Sequence, residues 1–349
     1  MKEICIDGQK IGNGASTYVI AEISANHNQD IQEAIDLVYL AKECGADAVK
    51  IQTYTPDTMT IDCSNEHFRI GEGTIWEGKN LYELYGEAYT PWEWTGRLLE
   101  EAKKAGITLF SSPFDITAVD CLEQHNMPAY KIASFELVDH PLIARIARTG
   151  KPVIMSTGMG SLREICEAVE VLEKNGCKEY ALLKCTSSYP APVDEANLAR
   201  MKHMEEAFGV AVGLSDHTMG STVPAIAVGL GAAIVEKHFT KSRDIEGPDS
   251  AFSMEPNEFS EMVKAVRIAE QAVGTVSYEL TEKEKNSTVF RRSIFVVEDV
   301  AAGDLLTEEN TRIIRPGYGL APRYYDQVLG RKVNADVKRG TPLEWGILA

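Results

Sequence analysis

The chain has 349 residues, 44% hydrophobic and 25% charged, which suits a globular protein with room for one large domain and one small one. Its formal net charge of −17 disfavours nucleic acid and anionic membrane surfaces as partners. No apolar run approaches the ~20 residues that span a bilayer, residues 1–13 lack a signal-peptide pattern, and seven cysteines without paired spacing point to a reducing, cytoplasmic compartment.

The first clear predicted strand covers 17–23, with Glu22 near its end and Ser24-Ala25-Asn26-His27-Asn28 after it. Asp30 can cap a helix over 30–44, whose apolar face is marked by Ile31, Ala34, Ile35, Val38 and Ala41. The second strand, 48–51, carries Lys50 and Gln52. A long polar and aromatic excursion follows over 53–89, with a short helix expected at 81–85. Thr90 and Pro91 predict the start of a helix over 92–105, closed by Gly106. Strand three, 107–110, ends in Ser111-Ser112-Pro113. A helix at 116–124 leads to strand four, 129–132, with Lys131, Ser134 and Glu136 at its end. After a helix at 140–148, strand five, 152–155, ends in Ser156-Thr157-Gly158. Ser161 and Glu164 have capping-box spacing for a helix over 161–174. Strand six, 180–183, ends in Lys184-Cys185-Thr186-Ser187-Ser188-Tyr189. Helices near 194–207 and 221–230 precede strand seven, 210–214, and strand eight, 233–237; an amphipathic helix covers 257–273.

Eight strand–helix units in this length predict one (β/α)₈ TIM barrel over 1–275. The competing doubly wound sheet lacks a G-x-G-x-x-G after the first strand. A charged linker is expected over 276–290. Residues 291–349 then read as short strands and turns: 293–297, 299–304, 305–306, 311–315 and 340–342. This small, mostly β module is near the lower size limit for independent folding.

In a barrel the C-terminal ends of the strands face the active site. Each predicted strand ends in charged or hydroxylic residues: Glu22, Lys50, Ser112, Lys131, Ser156, Thr186, Ser215 and His238. His217 and His238 end strands seven and eight, so they can converge as a metal pair or simply cap their strands. Lys50 and Lys131 with Ser112, Ser134, Ser156 and Ser215 make donors suited to a phosphate and a carboxylate. Either lysine can instead form a structural ion pair with Glu22 or Glu136, or serve as a Schiff-base nucleophile.

The stretches AEISANHN, KIQTYTPDT, SSPFD, YKIASFE, STGM, KCTSSYPAP, VGLSDHT, EKHFT and GPDSAFSMEP, in that order, resemble the sialic acid synthase family. RRSIFVVEDVAAGDLLTEENTRIIRPGYGL resembles its C-terminal antifreeze-like (SAF, β-clip) domain. KIQTYTPDT, NLYELYGEAYTPWEW and KCTSSYPAP are most similar to the branch that makes pseudaminic acid. Ser187 stands where the sialic acid branch has Asn, and Gln29 where the family has glycine.

The resemblance implies condensation of phosphoenolpyruvate with an N-acylated amino-sugar aldehyde and release of phosphate by C–O cleavage. For this branch the sugar is 2,4-diacetamido-2,4,6-trideoxy-L-altrose; the alternative is N-acetylneuraminate synthesis from N-acetylmannosamine. It implies catalytic roles for Glu22, Lys50, Lys131 and Glu136. Lys50, Ser112, Lys131, Ser134, Ser156, Ser187 and Ser215 are expected to line the phosphoenolpyruvate site. Gln52, Tyr189, Asp249, Phe290 and Arg315 are expected to face the sugar, and His217 and His238 to bind Mn²⁺ or Mg²⁺. It also implies a domain-swapped homodimer in which Arg315 reaches the partner's barrel.

Overall fold

The computed structural model describes residues 3–71 and 75–349. Residues Met1–Gly274 and Thr275–Ala349 form two compact units.

The first unit opens with a hairpin, β1 (Ile4–Ile6) and β2 (Gln9–Ile11). Ile4, Ile6 and Ile11 are buried in the main core. Gln9 donates to Asp47 at 3.3 Å and Asp7 accepts from Thr108 at 3.3 Å, which fixes the hairpin at the N-terminal end of the following strands. Eight parallel strands then close into a barrel: β3 (Tyr18–Glu22), β4 (Ala48–Thr53), β5 (Thr108–Pro113), β6 (Tyr130–Ile132), β7 (Val153–Ser156), β8 (Tyr180–Cys185), β9 (Ala211–Asp216) and β10 (Ile234–His238), with β10 beside β3. Closure excludes the open doubly wound sheet.

The predicted helix signals are used locally. Asp30 caps Ile31–Glu43, and Ser161 with Glu164 forms the capping box of Leu162–Lys174. One start differs. The α-helix expected from residue 92 begins at Thr95, after a 3₁₀ turn over Trp92–Trp94. Thr90 is not its cap, because its hydroxyl is engaged by Nε2 of buried His27 at 3.0 Å. In the long excursion, Asn80 caps a helix over Leu81–Ala88, longer than the one expected. Residues 72–74 of that excursion lie outside the described residues.

The second unit has one antiparallel pair, β11 (Ser293–Val296) with β12 (Thr311–Ile314). Other segments expected as strands make only isolated bridges, such as Val300–Val337 and Leu305–Lys332. Its small core includes Ile294, Val296, Leu306, Val328, Val333 and Leu343. The expected linker, 276–290, contributes a helix over Glu282–Ser287, capped by Thr281. No helix among the described residues is long and apolar enough to cross a membrane.

Candidate active site

Side chains of a strand alternate between its two faces. Along β10 this puts Glu236 and His238 on one face and Lys237 on the other. Register pairs Glu236 with Ser215, His238 with Glu22, and Glu22 with Lys50. Glu236 is the hub of the result. Its Oε1 accepts from Ser215 Oγ at 3.2 Å and lies 3.4 Å from Lys50 Nζ and 3.6 Å from Lys131 Nζ. Lys50 also pairs with Glu22 and donates to Ser112 Oγ at 3.3 Å. Lys131 donates to Ser156 Oγ at 2.7 Å. All of these side chains are buried.

The charges do not settle symmetrically. Burial raises the Glu22 carboxyl above its usual range, and the Lys50 charge opposes this without cancelling it. Burial also opposes ionisation of Glu236, but Lys131 and Lys50 outweigh it and hold that carboxyl low. Lys50 is pushed up to about 12, its burial outweighed by Glu22 and Glu236. Lys131 is lowered, chiefly by burial. Two lysines thus face one carboxylate held low by their charge and one raised by burial, an arrangement that attracts an anion.

Hydroxyls and an amide extend this cluster. Gly158 N–H donates to Ser134 Oγ at 3.1 Å. A Cβ at position 158 would stand 2.4 Å from Ser187 Oγ and 2.7 Å from Ser134 Oγ, so only glycine lets both serines converge there. Glu136 follows on the turn after β6. Burial pushes its carboxyl up to about 7 against the pull of Lys131, and its Oε2 is buried without a hydrogen-bond partner.

The two expected metal ligands come together. The rings of His217 and His238 lie 5.3 Å apart. His217 Nδ1 donates to Thr186 O at 2.8 Å, which leaves Nε2 as the nitrogen that can face a ligand. Burial, and then the neighbouring His217 and Lys50 charges, hold His238 well below the ordinary imidazole value, so it is neutral. Its Nδ1 is buried without a hydrogen-bond partner. Burial pulls His217 down, but its contact with Cys185 outweighs this and holds it above the ordinary imidazole value. Two imidazoles, one of them neutral with an unclaimed nitrogen, fit a divalent ion that keeps open positions. Among the described residues no group of three or more His, Cys, Asp or Glu side chains gathers as a metal cage.

Gln52 Nε2 donates to Ser24 Oγ at 2.9 Å, and Ser24 donates to Asp249, so strand β4 and the loops after β3 and β10 join at one polar node. The Tyr189 ring lies 4.3 Å from that of His217 and 5.1 Å from that of Phe252, which itself lies 4.9 Å from His238. Phe290 and Arg315 belong to the second unit, and both are exposed.

A model of the NeuB family matches residues 37–278, and a SAF domain model matches residues 291–349. The chain belongs to the NeuB family. A pseudaminic acid synthase of Helicobacter pylori is 45% identical over 93% of this chain and 96% of its own. One from Campylobacter jejuni is 42% identical over 97% and 99%. The crystal structure of a sialic acid synthetase from Leptospira borgpetersenii, in complex with citrate, superposes with a TM-score of 0.73 at 29% identity, covering 82% of this chain and 95% of its own. Membership of the NeuB family makes this chain an enzyme of nonulosonic acid synthesis.

Two residues of this cluster are not singled out by the sequence reading. Glu236 is the chief one. It was visible as a charge at the end of strand eight, and its two-residue offset from His238 was the signal that both share a face. Ser24 has no such signal, because it lies beyond the strand and bridges Gln52 of β4 and Asp249 of a distant loop. Gln29, which stands where the family has glycine, sits at φ 57° and donates to Tyr89 O at 2.5 Å, so its side chain pins the loop that glycine would only relax.

Proposed function

We propose that this protein is a pseudaminic acid synthase. It condenses phosphoenolpyruvate with 2,4-diacetamido-2,4,6-trideoxy-L-altrose and releases phosphate by C–O cleavage. The observation that carries the chemistry is the buried Lys50–Glu236–Lys131 cluster beside the paired His217 and His238 rings. The pseudaminic acid synthases that align over nearly the whole chain support the choice of sugar.

Lys50 and Lys131, with Ser112, Ser134, Ser156, Ser187 and Ser215, hold the phosphate and carboxylate of phosphoenolpyruvate. Held dry and paired in advance, they act by positioning and by fixed charge. C3 of phosphoenolpyruvate attacks the sugar aldehyde, and positive charge develops at C2. Water adds to C2, oriented by Glu22, whose Oε1 is itself fixed by Ser24 N–H at 2.7 Å. The tetrahedral adduct then loses phosphate to the lysine cluster. Glu136, pushed up to about 7, can exchange a proton with the reacting oxygens near neutral pH. His217 and His238 would hold Mn²⁺ or Mg²⁺, which when bound supplies Lewis-acid polarisation of the aldehyde oxygen. Gln52, Tyr189 and Asp249 contact the sugar.

The deciding experiment is a panel of sugars scored by phosphate release with phosphoenolpyruvate. Strong preference for the diacetamido sugar is expected; comparable kcat/KM for N-acetylmannosamine would reject the assignment. Phe290 and Arg315 are proposed to act in trans within a homodimer. The isolated mixed dimer of an Arg315→Ala chain with a His217→Ala chain should then keep one intact site of its two and show about half of wild-type activity. No activity beyond the two parents would reject the exchange.

A further inference from the structure

A cavity of about 650 Å³ opens beyond the imidazole pair, lined by Asn28, Gln29, Trp76, Gly247 and Pro248 among others. That volume is within the ~300–1,000 Å³ range of small-molecule sites. Its loops come from three places: the turn after β3, the excursion after β4 and the segment after β10.

Trp76 is the side chain that joins this vestibule to the reaction centre. Its ring lies 5.7 Å from that of Tyr189 and 6.4 Å from that of Phe252. Tyr189 and Phe252 rest in turn on His217 and His238. A row of rings therefore runs from the imidazoles out to the cavity. The one polar atom of the indole is already engaged, since Nε1 donates to Pro248 O at 2.8 Å. The ring faces are left as carbon surface, held in place by that bond. The turn opposite is also fixed: Asn28 and Gln29 hold φ of 46° and 57°, and a Cβ on Gly247 would stand 2.7 Å from Asn28 Oδ1.

We propose that Trp76 is a specificity-determining wall for the end of the sugar remote from its aldehyde. This rests on the synthase reading, which places the aldehyde at the imidazole pair. With C1 there, C4 to C6 extend outward along the aromatic row. An aromatic face favours a C6 methyl and acetamido methyls, and it offers no partner to a C6 hydroxyl. Pressing a hydroxyl against the ring costs it a water partner that the ring does not replace. Trp76 thus selects a 6-deoxy sugar by the surface it presents, through contacts that none of the polar sugar-site residues makes.

The test uses the full-length enzyme with Trp76→Ala and Trp76→Phe. Each is assayed on the diacetamido sugar, on N-acetylmannosamine and on the 6-deoxy analogue of N-acetylmannosamine, which differs from its parent only at C6. Trp76→Ala should cut kcat/KM for the diacetamido sugar tenfold or more, mostly through KM, and leave the KM for phosphoenolpyruvate within twofold. It should also abolish the preference for the 6-deoxy analogue over N-acetylmannosamine. Trp76→Phe, which keeps a ring but loses the bond to Pro248, should retain most of that preference. The proposal is overturned if Trp76→Ala keeps the preference, if it shifts the phosphoenolpyruvate KM as much as the sugar KM, or if Trp76→Phe is as damaged as Trp76→Ala. Wild-type turnover of the diacetamido sugar judges the synthase reading separately, because the C6 comparison is made on sugars of the alternative reaction.

Discussion

Strands β9 and β10 each contribute to two buried lysine–carboxylate groups, one on each face of the sheet. On one face Lys237 donates to Asp216 Oδ2 at 2.5 Å and to Thr218 O, while Asp216 also accepts from Thr218 N at 3.0 Å and Thr218 Oγ1 at 3.1 Å. Both oxygens of that carboxylate are used. On the other face Glu236 serves Lys50, Lys131 and Ser215 through one oxygen, and its Oε2 is buried with no hydrogen-bond partner. Two groups of the same chemistry, one residue apart, differ in completeness. A satisfied buried pair is a structural element. A buried group with unused hydrogen-bonding capacity calls for an explanation, and a ligand supplies one here.

The comparison is sharpest between neighbours on β10. His238→Ala should remove nearly all activity while the barrel stays folded, and His217→Ala should do the same. The check is phosphate release alongside a thermal melt, with the wild type held in chelator as a third arm. Sustained turnover of metal-stripped wild-type enzyme would remove the imidazoles from the chemistry. Lys131→Met should follow, with kcat/KM reduced about 10²–10³-fold, the scale on which losing one preorganised donor acts. Because Glu236 keeps Lys50 in that variant, its stability loss should be smaller than that of Lys237→Met.

Lys237→Met should reverse the pattern. Removing one partner of a buried pair costs about 3–5 kcal/mol, because Asp216 is left charged and uncompensated. Denaturant unfolding should show that loss, while activity per folded molecule stays within about tenfold of wild type. Replacing both partners, as Lys237→Met with Asp216→Leu, should recover much of the stability. If Lys237→Met instead unfolds normally and inactivates like Lys131→Met, completeness does not separate structure from site.

Much of this was legible in the sequence for a simple reason. The barrel's strand ends are local features, so Glu22, Lys50, Lys131, Ser156 and His238 could be placed by finding where each apolar run breaks. The histidine pair followed from equivalent positions on successive strands. What was hidden depends on side-chain parity and on long-range meetings. Glu236 and Lys237 look alike as charges after a strand, and only the two-residue period tells which one joins Lys50. Thr90 read as a helix cap because local chemistry allowed it, but His27, distant in sequence, engages its hydroxyl instead. Trp76 sits in the long excursion, whose fold is set by partners such as Pro248 rather than by any periodic pattern.

The smallest effect concerns a third histidine, His27, which carries the same contrast into imidazole chemistry. His238 has an unclaimed buried nitrogen, whereas both nitrogens of His27 are used: Nε2 by Thr90 Oγ1 at 3.0 Å, and Nδ1, as an acceptor, by Gln29 N at 3.2 Å. Nδ1 as acceptor requires the neutral ring with its proton on Nε2. Burial lowers this imidazole to about 4 from an ordinary value near 6.5. As pH falls below 6.5 the unfolded chain takes up a proton first, and the folded protein resists until about 4. The unfolded state is therefore favoured progressively across that window. The stabilisation is fully present above pH 6.5, and about 3 kcal/mol of it is lost by pH 4. His27→Gln offers an acceptor and a donor in the same place without a titrating ring. Its unfolding free energy should vary less than that of wild type between pH 6.5 and 4.5, with the two curves parallel above pH 7. Identical slopes in the acid window would mean that His27 is protonated in the folded state, and that its bond from Gln29 N is not the one that fixes the turn after β3.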